Sequence, residues 1–147
     1  MDFTEWDTRV AAYAVVVDSQ NRLLVTWYNG TRPRPQLTLP GGGVDFEESL
    51  ESAVVREVKE ETGYDVALGQ PLATSTWTTT DDGPRAPRPY KSVQIVFKAT
   101  VVGGSLGTVE VGGTTDSAEW IPLDQVLQTT PRADIIDVAI AALRTAA

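Results

Sequence analysis

Between Pro40 and Gly63 the chain sets three consecutive glycines, Gly41, Gly42 and Gly43, against a helical segment that carries acids where a core helix carries hydrocarbon. The segment from Glu47 to Thr62 reads as a helix. Leu50, Ala53, Val54 and Val58 recur at helical spacing and form one apolar stripe. Asp45 and Glu48 have capping-box spacing, and Gly63 sits where a left-handed C-cap residue belongs. Glu57 and Glu61 are four residues apart and fall inside the stripe, with Glu60 at its flank. A helix that only covers a core would turn these acids to water, beside Arg56 and Lys59. Carboxylates crowded on the core side repel one another and resist desolvation. A divalent cation relieves both problems, and hard cations such as magnesium prefer carboxylate, carbonyl and water oxygens. The plainer alternative is a helix end whose acids snorkel to water or pair with Arg56.

The flanking segments suggest what this helix packs on. Val10 to Val17 is apolar and β-branched and reads as a buried strand. Asp18 to Asn21 signals a turn, and Leu23 to Tyr28 reads as the returning strand of a hairpin. Asn29 to Pro35 is a loop, and Gln36 to Leu39 a short strand ending at Pro40. Leu72 to Thr80 and Ser92 to Val102 are strand-like, separated by a proline-rich loop from Asp81 to Lys91. Gly103 to Gly113 reads as a further hairpin or an open loop, and Glu119 to Pro122 as a short strand. Pro131 to Arg144 closes the chain as a helix, with Ile135, Ile136, Ala139, Ile140 and Leu143 at helical spacing. Strands and helices mix without regular alternation, which predicts one domain spanning residues 1–147, a mixed β-sheet covered by helices.

Composition narrows the chemistry. The 147 residues contain no His and no Cys, which excludes imidazole acid–base catalysis, thiolate chemistry and the usual zinc sites. A general base must then come from Asp, Glu, Lys or Tyr. A net charge of -8 argues against long nucleic acid as a partner, but not against a small phosphorylated ligand held through a metal. The acidic N-terminus and the short apolar runs predict neither a secretory signal nor a membrane span, and hence a cytoplasmic protein.

From Gly42 the chain reads five residues, Glu48, seven residues, then Arg56-Glu57-Val58-Lys59-Glu60-Glu61-Thr62-Gly63-Tyr64. This resembles the 23-residue signature of the Nudix hydrolase family, MutT-like enzymes, with every fixed position present. Tyr64 stands where an aliphatic residue is usual, and Asp45 and Glu47 where many relatives have Glu and Gly. The resemblance implies an α/β/α sandwich around a mixed sheet. It implies hydrolysis of a phosphoanhydride in a nucleoside diphosphate linked to another moiety, with Mg2+ or Mn2+. Position by position, Glu57, Glu60 and Glu61, with the carbonyl of Gly41, resemble the metal ligands. Glu57 or Glu60 resembles the base, unless an acid elsewhere, Glu110, Asp116 or Glu119, takes that role. Glu48 would orient the metal site and Arg56 would hold a glutamate. Relatives are often homodimers.

The substrate is less legible. Arg32, Arg34, Arg85, Arg88 and Lys91 lie in loops suited to distal phosphates, and Trp27, Tyr28, Trp77 and Tyr90 are large enough to stack on a base. Of these, Arg32, Arg34, Trp77, Arg88 and Tyr90 are the candidate substrate contacts, each weighed against an ordinary solvated or packed role, and Trp120 reads as core. Ala73 to Asp82 has neither the proline of ADP-ribose enzymes nor the tyrosine of dinucleoside polyphosphate enzymes. Nucleoside triphosphates, ADP-ribose and nucleotide sugars all stay open. The competing classes are a silent Nudix domain that senses a nucleotide ligand and a structural or partner-binding domain.

Overall fold

A computed structural model describes residues 1–30, 34–80, 88–107 and 112–146. In chain order its elements are β1 (Asp7–Val15), β2 (Arg22–Tyr28), β3 (Gln36–Thr38), β4 (Gly41–Gly43), α1 (Leu50–Thr62), β5 (Tyr64–Thr79), β6 (Tyr90–Gly104), β7 (Thr115–Pro122), α2 (Leu123–Val126) and α3 (Asp134–Thr145). The strands form two sheets, β4-β1-β6-β5 and β3-β2-β7. The first is mixed, because β1 and β6 run parallel while β4 and β5 pair antiparallel to their neighbours. The second is wholly antiparallel.

Alternation along the central strands explains the layering. In β1, Ala12 and Ala14 join Val54 and Val58 of α1 in one apolar cluster. Val15, on the opposite face, joins Ile135, Ile136, Ala139 and Ile140 of α3 in another. β2 and β6 divide likewise: Leu24 and Phe97 belong to the α1 cluster, Leu23, Val25 and Val96 to the α3 cluster. Strands buried on both faces need a helix on each, and the result is the α/β/α sandwich that the resemblance implies. Among the described residues no helix is long and apolar enough to cross a membrane.

Several boundaries differ from the sequence expectations. The turn after β1 forms, with Asp18 accepting from the backbone of Gln20 and Arg22, but the hairpin is brief. Beyond the bridge between Val17 and Leu23 the two strands part into different sheets. The glycines after Pro40 form a strand of their own, since Gly41, Gly42 and Gly43 pair with Tyr13, Ala12 and Ala11. β5 begins at Tyr64 instead of Leu72: Gly69 and Pro71, which look like breakers, are absorbed where its register with β6 shifts. β7 begins at Thr115 rather than at Glu119, which brings Asp116 into the strand as well. Trp120 is only half-buried at the margin of the α1 cluster, where its indole N–H donates to the Tyr64 hydroxyl at 3.1 Å.

Helix α1 starts three residues later than the spacing suggests. Asp45 and Glu48 do bond each other, Glu48 N to the Asp45 carbonyl and Asp45 N to the Glu48 carboxylate, both at 3.0 Å. That makes a separate turn, and the helix proper is capped by Ser49, whose hydroxyl accepts from Ser52 N at 3.1 Å. The far end follows expectation. Gly63 has φ +81°, and a Cβ there would lie 2.2 Å from the Ser105 carbonyl oxygen.

Candidate active site

The acids of α1 converge with the glycine strand β4 and with the turn before the helix. Arg56 is the hub. Its Nε and Nη2 each donate to a different oxygen of Glu48 at 2.7 Å, a two-pronged pairing that fixes both side chains. Its Nη1 reaches Glu57 and Glu60, each at 3.2 Å. The two short bonds from Arg56, aided by the backbone N–H of Asp45, hold the Glu48 carboxyl down to about 2. The same Glu48 pairing pushes Arg56 further above its ordinary range, so the guanidinium stays charged at any working pH.

Glu61 is the deepest of the acids, 7% exposed. It accepts from the backbone N–H of Gly41 at 2.7 Å and from the Thr115 hydroxyl at 2.8 Å. These bonds account for how an ionised side chain tolerates the apolar stripe, and they tie α1 to β4 and to β7. Glu57 rests against Gly42, where an added Cβ would come within 3.2 Å of its Oε1. Gly41 has φ +142°, and a Cβ there would lie 2.3 Å from the Ala12 carbonyl oxygen. Glycine is therefore required at position 41 both for conformation and for the close packing of β4 on β1. Thr115 was not among the residues singled out by sequence. It lies 52 positions beyond Gly63 (115 − 63) and reaches the site only because β7 pairs with β2, Thr115 opposite Tyr28.

The donors are hard oxygens: the carboxylates of Glu57, Glu60 and Glu61, with glycine backbone beside them. Among the described residues, no three potential ligands are already gathered around one point. Instead Glu57 and Glu60 share the Arg56 Nη1, which draws them together by positive charge. Magnesium keeps much of its water and needs only one or two protein carboxylates, so a closed cage is unnecessary. The chemistry of the donor set fits such an ion, and Glu57, Glu60, Glu61 and the Gly41 carbonyl are the groups that could hold it.

Beside these acids lies a cavity of about 690 Å³, lined in part by Arg9, Val44, Phe46, Glu48, Leu50 and Glu57. Phe46 stands fully exposed at its edge. The candidate substrate contacts fare unequally. Arg88 donates to Asp7 at 2.7 Å and to the Thr4 carbonyl at 2.6 Å, so it braces the N-terminal segment while its side chain stays 46% exposed. Tyr90 is 4% exposed and backs Trp77, ring centroids 5.5 Å apart. Trp77 keeps 40% of its surface open and can offer a face. Lys91 lies over the Trp6 ring, and Arg34 is exposed. Asp116 accepts from the Asn29 side chain and Glu119 from the Trp27 indole at 2.9 Å. Arg32, Arg85 and Glu110 lie outside the described residues.

Comparison with known proteins agrees with this geometry. An ADP-ribose pyrophosphatase of Methanocaldococcus jannaschii is 31% identical over 111 residues, covering 76% of this chain and 60% of that protein. The chain thus matches well under two thirds of that relative's length. Among solved structures, a NUDIX hydrolase from Nitrosomonas europaea superposes with TM-score 0.78 at 20% identity, covering 95% of this chain and 90% of the other. A MutT NUDIX hydrolase from Burkholderia pseudomallei superposes with TM-score 0.73 at 26% identity, covering 93% and 98%. The family model described as NUDIX domain matches residues 7–142. On that match, which takes in both sheets, the glycine strand and the acids of α1, the chain belongs to the NUDIX family.

Proposed function

We propose that the protein is a metal-dependent hydrolase that cuts a phosphoanhydride bond in a nucleoside diphosphate linked to another moiety. The observation that carries this reading is the convergence of Glu57, Glu60 and Glu61 on one face of α1, held by Arg56, Gly41 and Thr115. A purely binding domain gains nothing from acids placed against an apolar stripe and stabilised there by so many bonds.

A bound Mg2+ or Mn2+ would neutralise phosphate oxygens and acidify a water. The rest falls to the chain. Glu57 or Glu60 takes a proton from the attacking water, whose oxygen forms a bond to one phosphorus as the bridging P–O bond breaks and the other phosphate leaves. Arg56 keeps both glutamates aimed while Glu48 anchors Arg56. Glu61 fixes α1 against β4, so that Gly41 and the helix acids keep their spacing. Trp77 offers a stacking face for a base and Arg34 a charge for a distal phosphate. The named activity of the M. jannaschii relative puts ADP-ribose among the first substrates to try.

The test is phosphate, pyrophosphate or nucleotide release with Mg2+ across nucleoside triphosphates, oxidised ones included, ADP-ribose, nucleotide sugars and dinucleoside polyphosphates. A clear hit is expected, and Glu60→Gln should lower its rate by about 10²-fold or more while the fold is retained. Silence across the panel with both Mg2+ and Mn2+ would overturn the reading in favour of a nucleotide-sensing domain.

A further inference from the structure

Gly43 raises a question that the metal site does not answer. Its backbone needs no positive φ, so conformation alone does not require glycine there. What fills the space is Arg9. A Cβ on Gly43 would lie 2.8 Å from Arg9 Nη2, 3.0 Å from Nε and 3.2 Å from Cζ. Three guanidinium atoms within 3.2 Å, Cζ the farthest of them, mean that the Nε–Nη2 edge of the group sits directly against the backbone of β4. Glu57 rests on Gly42, the neighbouring residue, from the opposite face of β4. Arg9 and Glu57 also line the same cavity of about 690 Å³. Among the described residues, no carboxylate lies within ion-pair distance of Arg9. Arg56, by contrast, is bonded to three acids.

The strand register extends the picture. Arg9 lies opposite Ser92, and Ser92 opposite Trp77, so the three share one row across β1, β6 and β5. Ser92 is small and 1% exposed, while Trp77 is 40% exposed. Two interstrand spacings, about 10 Å, separate the outer members of the row. That is about the reach of a nucleotide from its base to its outer phosphates.

We infer that Arg9 is a substrate-holding residue: its guanidinium takes the phosphate chain of a nucleotide at the edge strand β4, across that strand from Glu57, with the base directed along the row toward Trp77, and Gly43 is kept bare to let it lie there. The inference rests on the hydrolase reading for its choice of ligand, but not on turnover. A planar guanidinium suits two phosphate oxygens at once. Its place on an otherwise acidic rim supplies the attraction that an anionic ligand needs near Glu48 and Glu57.

The experiment is calorimetric titration, with Mg2+ present, of two probes into the intact chain: a nucleoside triphosphate analogue with methylene bridges, and inorganic tripolyphosphate. Arg9→Ala should weaken both by about ten- to hundredfold, and Arg9→Lys should restore part of the loss. Trp77→Ala should weaken the nucleotide and spare tripolyphosphate. Gly43→Ala should weaken both while Arg9 itself is unchanged, and thermal denaturation will report whether β4 survives the substitution. Equal affinities for wild type and Arg9→Ala would overturn the inference, as would absence of binding of either probe to the wild type. Arg9-dependent binding without hydrolysis of any panel substrate would instead sink the hydrolase reading and leave Arg9 in its role.

Discussion

Helices α1 and α3 are nearly equal in length, 13 and 12 residues, and cover opposite faces of the same layer of strands, yet they spend their buried surface differently. α3 buries Ile135, Ile136, Ala139 and Ile140, all hydrocarbon. α1 buries Ala53, Val54 and Val58 over its middle and then gives its last turn to Glu61 and Thr62. Core packing alone explains α3. It does not explain α1, because a leucine at position 61 would gain burial energy, whereas a carboxylate there must be compensated by Gly41 and Thr115. The difference separates a helix selected for stability from one whose stability has been partly traded for a polar site.

The strongest way to break this comparison is to weaken α3 and read activity. Ile136 is fully buried between the sheets and α3. Ile136→Ala should cost about 2–5 kcal/mol through lost transfer energy and a residual cavity. Denaturant titration measures the loss. Specific activity, taken where the variant is still folded, should match the wild type. A fall in activity without a fall in folded fraction would mean that α3 shapes the site after all.

The same contrast explains what was readable in the sequence. α3 and the apolar stripe of α1 follow from periodicity, because burial imposes it directly. The acids of α1 were legible as exceptions to that periodicity. What escaped depends on pairing between distant segments. Thr115 reaches Glu61 only through β7 and β2, and Arg9 reaches Gly43 only through β1 and β4. The same holds for Arg88, which reads as a free loop cation until the fold sets it against Asp7. The start of α1 departs from the sequence expectation for a local reason: the spacing of Asp45 and Glu48 imitates a capping box while closing a turn of its own.

A subtler test sharpens the contrast within α1. Glu48 is held down to about 2 by Arg56, against an ordinary value of 4.5. A depressed carboxylate adds stability that is fully present above the unfolded-state value and is lost as pH falls toward the folded one. The melting-temperature gap between wild type and Glu48→Gln should therefore be constant above about pH 5 and close between pH 4.5 and pH 2. A gap unchanged at pH 2 would mean that the glutamine variant fails for packing reasons rather than for loss of the Arg56 pair. α3 offers the control, since Ile136→Ala should show no comparable closing over that window.

The smallest expected effect lies at the helix starts. Ser49 caps α1 through its hydroxyl, whereas Ala133 at the start of α3 makes no side-chain cap bond, and the first turn there carries Asp134 and an Asp137 that pairs with Arg132 at 3.1 Å. Ser49→Ala should cost about 1 kcal/mol, and Ala133→Ser should return a fraction of that, both read by denaturant titration. The Ser49 cap lies one residue after Glu48, so a frayed start would also loosen the anchor of Arg56. Ser49→Ala should then lower activity slightly, whereas Ala133→Ser should leave it alone. Equal activity in both variants would show that the Glu48 turn stands independently of the helix it precedes, and that the site is anchored by the Arg56 pairing rather than by the cap.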